Sequence, residues 1–148
     1  MNIIFVCTGN TCRSPMAEGI FKNLLKDTDN INVASRGIAA CEGEFASENS
    51  IKATSELGVD ISKHRAHMLT LDDIKKSDYI FTMTQSHATA IKNSLPQYSD
   101  KVFSIKEFAQ CDDISDPYGG DIDLYRKCSF QISDSVTKIY HKLLGEVL

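Results

Sequence analysis

The sequence predicts an α/β domain with a parallel sheet. Two observations carry that prediction: short runs rich in Ile, Val and Phe alternate with segments of helical periodicity, and the first run leads straight into a small-residue loop at a helix start. Residues 2–6 form that first run and read as a buried strand. Pro15 suits the first helical turn, where its missing N–H costs nothing, and Ser14 before it is the expected N-cap. Met16, Ala17, Ile20, Phe21, Leu24 and Leu25 follow at helical spacing, predicting a helix over residues 15–26. Residues 31–35 read as a second strand ended by Gly37, residues 38–47 as a surface loop, and residues 48–57 as a helix terminated by Gly58. Thr70 followed by Asp72 and Asp73 marks a short helix start. Residues 78–83 predict a third strand, residues 85–93 a helix and residues 102–104 a fourth strand. After a loop around residues 112–120, Asp121 is expected to cap a long helix to residue 144. Its apolar face would carry Ile122, Tyr125, Ile132, Val136, Ile139 and Leu143.

A length of 148 residues suits one compact domain over residues 1–148, without repeat or linker, and 42% hydrophobic residues supply an ordinary core. The net charge of −4 opposes binding to nucleic acid or an anionic membrane. No long apolar run is present, and the first residues lack the basic start and cleavage site of a signal peptide. The expected compartment is therefore the cytoplasm, and the expected state a monomer. Five cysteines in such a chain read as thiols rather than a disulfide framework, and an odd count excludes complete pairing.

The chemistry concentrates in residues 7–14, Cys7-Thr8-Gly9-Asn10-Thr11-Cys12-Arg13-Ser14. A strand, a tight loop and a helix N-terminus make an anion site, because backbone N–H groups and the helix dipole converge there. The loop begins with a thiol and ends with a guanidinium, five residues intervening. That spacing wraps a tetrahedral oxyanion, with Cys7 below phosphorus and Arg13 on two equatorial oxygens. Gly9 and Asn10 both tolerate the left-handed backbone such a turn demands. The same donors favour a thiolate at Cys7, and the Ser14 hydroxyl is placed to donate to it. Each residue also has a plainer reading, as a core Cys, a turn or a helix start; their conjunction at one strand end points to chemistry. A Walker loop lacks its Gly-Lys-Ser/Thr ending, zinc at Cys7 and Cys12 lacks paired ligands, and calcium near residues 112–123 lacks EF-hand spacing. No metal and no cofactor is expected.

The run from Cys7 to Glu18 resembles the signature of low-molecular-weight protein tyrosine phosphatases, and Asp116-Pro117-Tyr118-Gly119 resembles the family's second mark. The resemblance spans essentially the whole chain. It implies a three-layer fold with a four-stranded parallel sheet flanked by helices, and hydrolysis of phosphorylated protein substrates through a phosphocysteine. It assigns Cys7 as nucleophile and Arg13 as phosphate clamp, with residues 8–14 (Thr8, Gly9, Asn10, Thr11, Cys12, Arg13 and Ser14) as phosphate loop. It makes Asp116 the acid that protonates the leaving atom and then the base for water. From the residues alone Asp116 also reads as the opener of an Asp-Pro turn. Tyr118 reads either as a pocket wall or as a partly buried Tyr. His64 matches a family position that steadies the loop through Asn10. Cys12 is expected to pair reversibly with Cys7 on oxidation, the alternative being a buried thiol. Cys41, Cys111 and Cys128 carry no assigned role, and His67, His87 and His141 are expected at the surface.

Thr11 departs from the larger aliphatic residue, commonly Ile, of tyrosine-specific members and resembles the bacterial protein arginine phosphatase branch. It is smaller and brings a hydroxyl near the scissile bond. Ala39 cuts the other way, because arginine-specific relatives tend to offer an aromatic wall there. Phosphoarginine is the favoured substrate and phosphotyrosine the alternative. A thiol-dependent arsenate reductase would need further cysteines in residues 78–100, which hold none. A phosphocysteine carrier would need neither Arg13 nor Asp116.

Overall fold

The computed structural model describes residues 1–145. Its elements are β1 (Asn2–Cys7), α1 (Arg13–Leu24), β2 (Asn32–Gly37), α2 (Glu48–Glu56), α3 (Leu71–Lys76), β3 (Tyr79–Thr82), α4 (Gln85–Ser94), a 3₁₀ turn (Pro96–Lys101), β4 (Val102–Ser104), α5 (Ile105–Ala109) and α6 (Ile122–Leu144). The four strands pair in the order β2-β1-β3-β4, all parallel.

Strand periodicity divides the core into two layers. Along β1, Ile3, Phe5 and Cys7 face one side, with Met16, Phe21, Ile132 and Val136 of α1 and α6. Ile4 and Val6 face the other, with Ile74 of α3 and Ala88 and Ile91 of α4. Both faces of the central strands are covered, so their sequence is apolar throughout rather than alternating. Phe5, Phe21, Phe81 and Tyr140 pack at tilted to edge-on angles through the first layer, with centroids 5.6–5.9 Å apart. Because Cys7 continues the odd register, its side chain turns toward α1 and α6 at the carboxyl end of the sheet. The chain moves from β1 to β2 on one side and to β3 on the other, so the crevice of a topological switch point opens there.

The predicted strands and main helices are present, with three local differences. Helix α1 begins at Arg13, its N-cap is Cys12 without a side-chain bond, and Ser14 lies inside the first turn. A hydroxyl in the first turn is free to serve the loop instead of capping. Gly37 is the last residue of β2 rather than a stop beyond it. The 3₁₀ turn and the five-residue α5 were not anticipated; α5 is held by a capping box between Ser104 and Glu107.

Candidate active site

At the end of β1 the chain turns around Asn10, whose φ of 56° is left-handed. Gly9, expected to share that conformation, does not; Asn10 alone makes the turn. The fully buried Asn10 side chain pays for that backbone with three hydrogen bonds. Its Nδ2 donates to Ser14 Oγ (2.8 Å) and Ser35 Oγ (3.0 Å), and its Oδ1 accepts from His67 N (2.9 Å). Its carbonyl contacts His64 Nε2 at 2.7 Å, so that nitrogen carries the proton, a carbonyl being able only to accept. Burial holds the His64 imidazole below its ordinary range, partly offset by this bond.

Around that keystone the other loop atoms fall into place. Cys7 is 2% exposed; its sulfur receives Asn10 N–H at 3.3 Å and lies 2.9 Å from Ser14 Oγ. Both contacts suit a sulfur that bears negative charge. The Thr8 carbonyl accepts from Ala39 N (2.9 Å), the Cys7 carbonyl from Ile38 N (3.0 Å), and the Thr11 carbonyl from Ser47 N (2.8 Å). Gly37 is required by this closeness: a Cβ there would sit 2.7 Å from Thr8 O and 2.9 Å from Asn10 N.

Arg13 is buried at the start of α1, where Nη1 donates to the Ile114 carbonyl at 3.0 Å. Asp116 stands 3.7 Å from Nη2, its side chain 56% exposed, and accepts from Tyr118 N at 3.1 Å. A buried guanidinium held by a carbonyl and a distant carboxylate keeps N–H donors for an oxyanion. Arg13 thus joins the loop that begins at Cys7 to Asp116, which lies about a hundred residues further along the chain. Tyr118, two residues past Asp116, is 81% exposed, and Ala39, just after β2, is exposed as well. Thr11 is half-buried; a Cβ on Gly9 would lie 3.7 Å from its Oγ1.

The cysteines are all free thiols. The Cys12 sulfur lies 3.5 Å from both Tyr125 OH and Ser47 Oγ. Burial, then the bond to Cys12, pushes the Tyr125 phenol up to about 12. Cys128 lies beneath the site, and burial pushes its thiol up to about 12, leaving it inert beside Cys7.

Sequence reasoning missed four contributors. Ser35, Gly37 and Ile114 act through a hydroxyl, a missing Cβ and a carbonyl, which no motif announces. His87, expected at the surface, is buried to 9% exposure, with Nε2 2.9 Å from Thr8 Oγ1 and Nδ1 2.9 Å from Thr84 Oγ1. Its position just past the carboxyl end of β3, on the wall of the crevice, was the available signal. His67 does lie at the surface, paired to Glu42.

The family model for low molecular weight phosphotyrosine protein phosphatase matches residues 2–147. The protein-arginine-phosphatase of Bacillus subtilis is 36% identical over 146 residues, covering 97% of each chain. The low molecular weight protein-tyrosine-phosphatase PtpB of Staphylococcus epidermidis is 40% identical over 143 residues, 96% of this chain and 99% of that one. Among solved structures, a cysteine-to-serine mutant of the YwlE arginine phosphatase with a phosphorylated active-site serine superposes with a TM-score of 0.91. It is 35% identical and covers 97% of this chain and 96% of its own.

Proposed function

Because this chain belongs to the low molecular weight phosphotyrosine protein phosphatase family, we propose that it removes phosphate from arginine side chains of proteins by way of a phosphocysteine on Cys7. One observation carries the phosphatase chemistry: a buried sulfur under an amide-lined loop, with a buried guanidinium and an exposed carboxyl at its rim. Cys7 Sγ attacks phosphorus in line, the N–P bond breaks, and its electron pair goes to the guanidinium nitrogen, which takes the proton of the Asp116 carboxyl. Arg13 and the loop N–H groups hold the equatorial oxygens throughout. Asp116, now a carboxylate, takes a proton from water as that water attacks phosphorus; the S–P bond breaks and phosphate leaves. Ser14 Oγ, 2.9 Å from Cys7 Sγ, stabilises the sulfur as a leaving group.

Thr11 carries the choice of substrate. Half-buried beside Gly9, its hydroxyl is a polar partner for the guanidinium, where an aliphatic chain would offer none. The full-length likeness to the B. subtilis arginine phosphatase supports the same reading. The 40% identity to a staphylococcal tyrosine phosphatase favours the second reading, phosphotyrosine, by the same mechanism. The net charge of −4 supports protein rather than nucleic acid as substrate, and no helix among the described residues is long and apolar enough to cross a membrane. We read the enzyme as a cytoplasmic monomer whose Cys7 is protected by reversible pairing with Cys12.

The test is kcat/KM on matched phosphoarginine and phosphotyrosine peptides under reducing conditions, with Cys7→Ser as the inactive control. The wild type is expected to prefer phosphoarginine at least tenfold, about 1.4 kcal/mol, and Thr11→Ile to reverse that preference. A wild-type preference for phosphotyrosine would replace the arginine reading with the second one.

A further inference from the structure

Most ties of the phosphate loop to its surroundings contain a group that only donates or only accepts. Ala39 N and Ile38 N donate from the segment after β2, and Ser47 N from the residue that caps α2. The Asn10 carbonyl accepts from His64. The tie to α4 differs. It joins Thr8 Oγ1 to His87 Nε2, and the other ring nitrogen of His87 meets a second hydroxyl, Thr84 Oγ1. Hydroxyls rotate to donate or accept, so the ring keeps both bonds whether neutral or doubly protonated. Thr84 in turn caps α4 by accepting from His87 N at 3.2 Å, so the imidazole sits at a fixed point of the fold.

We propose that His87 is a positioning residue that takes up a proton when a phosphate dianion enters the loop, holding Thr8 in place in both charge states. The groups that face it set the direction. Burial, then the Arg13 guanidinium on α1, hold the imidazole below its ordinary range, opposed by Asp113 and Asp116 on the loop before α6. A dianion bound to Arg13 cancels that guanidinium's field at His87 and adds negative charge beside Thr8. The balance then favours imidazolium, the proton coming from solvent and returning to it when phosphate leaves. The imidazolium adds a positive charge behind Thr8. The inference rests on the phosphatase reading of the loop and not on which side chain brings the phosphate.

The experiment is a pH titration of the imidazole ¹⁵N resonances with and without saturating inorganic phosphate. The His87 midpoint is expected to rise by about one pH unit with phosphate. Loop amide shifts that saturate with phosphate while His87 keeps its midpoint would overturn the proposal alone. Absence of any saturable phosphate binding would overturn it together with the phosphatase reading. His87→Gln, which can still bond Thr8 but takes no proton, is expected to lose up to one proton of slope in phosphate affinity between pH 5.5 and 7.5. An unchanged slope would overturn the proposal. Thr8→Val, which breaks the tie from the loop side, is expected to weaken phosphate binding about tenfold. If either variant fails to fold, the wild-type titration decides.

Discussion

Residues 7–14 and residues 112–120 meet across Arg13, yet the first loop is buried in hydrogen bonds and the second stands largely in solvent. Asn10 is wholly buried and bonded through every polar atom of its side chain, whereas Asp116 is 56% and Tyr118 81% exposed. The outer loop is held at few points: Ile114 N to Met83 O (3.0 Å), Asp113 to Gln85 N (3.0 Å), and the Arg13 bond. The difference follows from what each must recognise. A phosphate has one shape, so its cradle is pre-organised; the leaving group arrives on a protein chain, so the acid is presented from a lip that contacts little else.

The contrast makes opposite predictions for single substitutions. Asp116→Asn, the largest effect, is expected to lower kcat on a phosphopeptide by roughly 10²–10⁴ while leaving stability within about 0.5 kcal/mol, since an exposed pair at 3.7 Å contributes little. A comparable loss of stability in a urea melt would show that the outer loop is structural after all. Asn10→Ala is expected to cost about 3 kcal/mol of unfolding free energy, because it strands the buried Ser35 hydroxyl and the backbone N–H of His67 and leaves alanine in a left-handed turn. A destabilisation under about 1 kcal/mol would mean that the cradle is held by packing rather than by that side chain.

The smallest effect is pH dependence, and it should come from the cradle. His64 and His87 both have imidazoles held below their ordinary range, chiefly by burial. The unfolded chain therefore binds protons more readily than the folded one once pH falls below about 6.5, and stability should decline from there toward the depressed folded values. Melting temperature at pH 7.5 and 5.5 measures this. His64→Gln should reduce the difference, and a melting temperature that rises on acidification would contradict the assignment.

Much of this was legible along the chain. The strand, the loop spacing from Cys7 to Arg13 and the cap at Asp121 are relations between near neighbours, and the structure contains each of them. Ser14 was legible as a hydroxyl placed to serve Cys7, which the 2.9 Å contact matches, but not as a residue inside the first turn, since Ser before Pro reads equally as a helix cap. His87 was misread for a related reason. A lone histidine on a polar helix start reads as exposed, and only the pairing of β3 beside β1 brings it against Thr8. Helix α5 escaped because five residues carry too little periodicity, although Ser104 and Glu107 spelled its capping box.

By itself, then, the sequence determined the chemistry that one turn of chain can hold: a thiol, a run of amide donors and a guanidinium at fixed separations, with an α/β order that puts them at a strand end. The tertiary structure decided which distant groups complete that turn. Gly37 and Ser35 reach it from β2, His64 from the loop before α3, His87 from α4, and Ile114 and Asp116 from the loop before α6. Backbone spacing constrains neighbours within a few residues, whereas contacts across 20 to 100 residues exist only because burying both faces of the sheet forces those segments together.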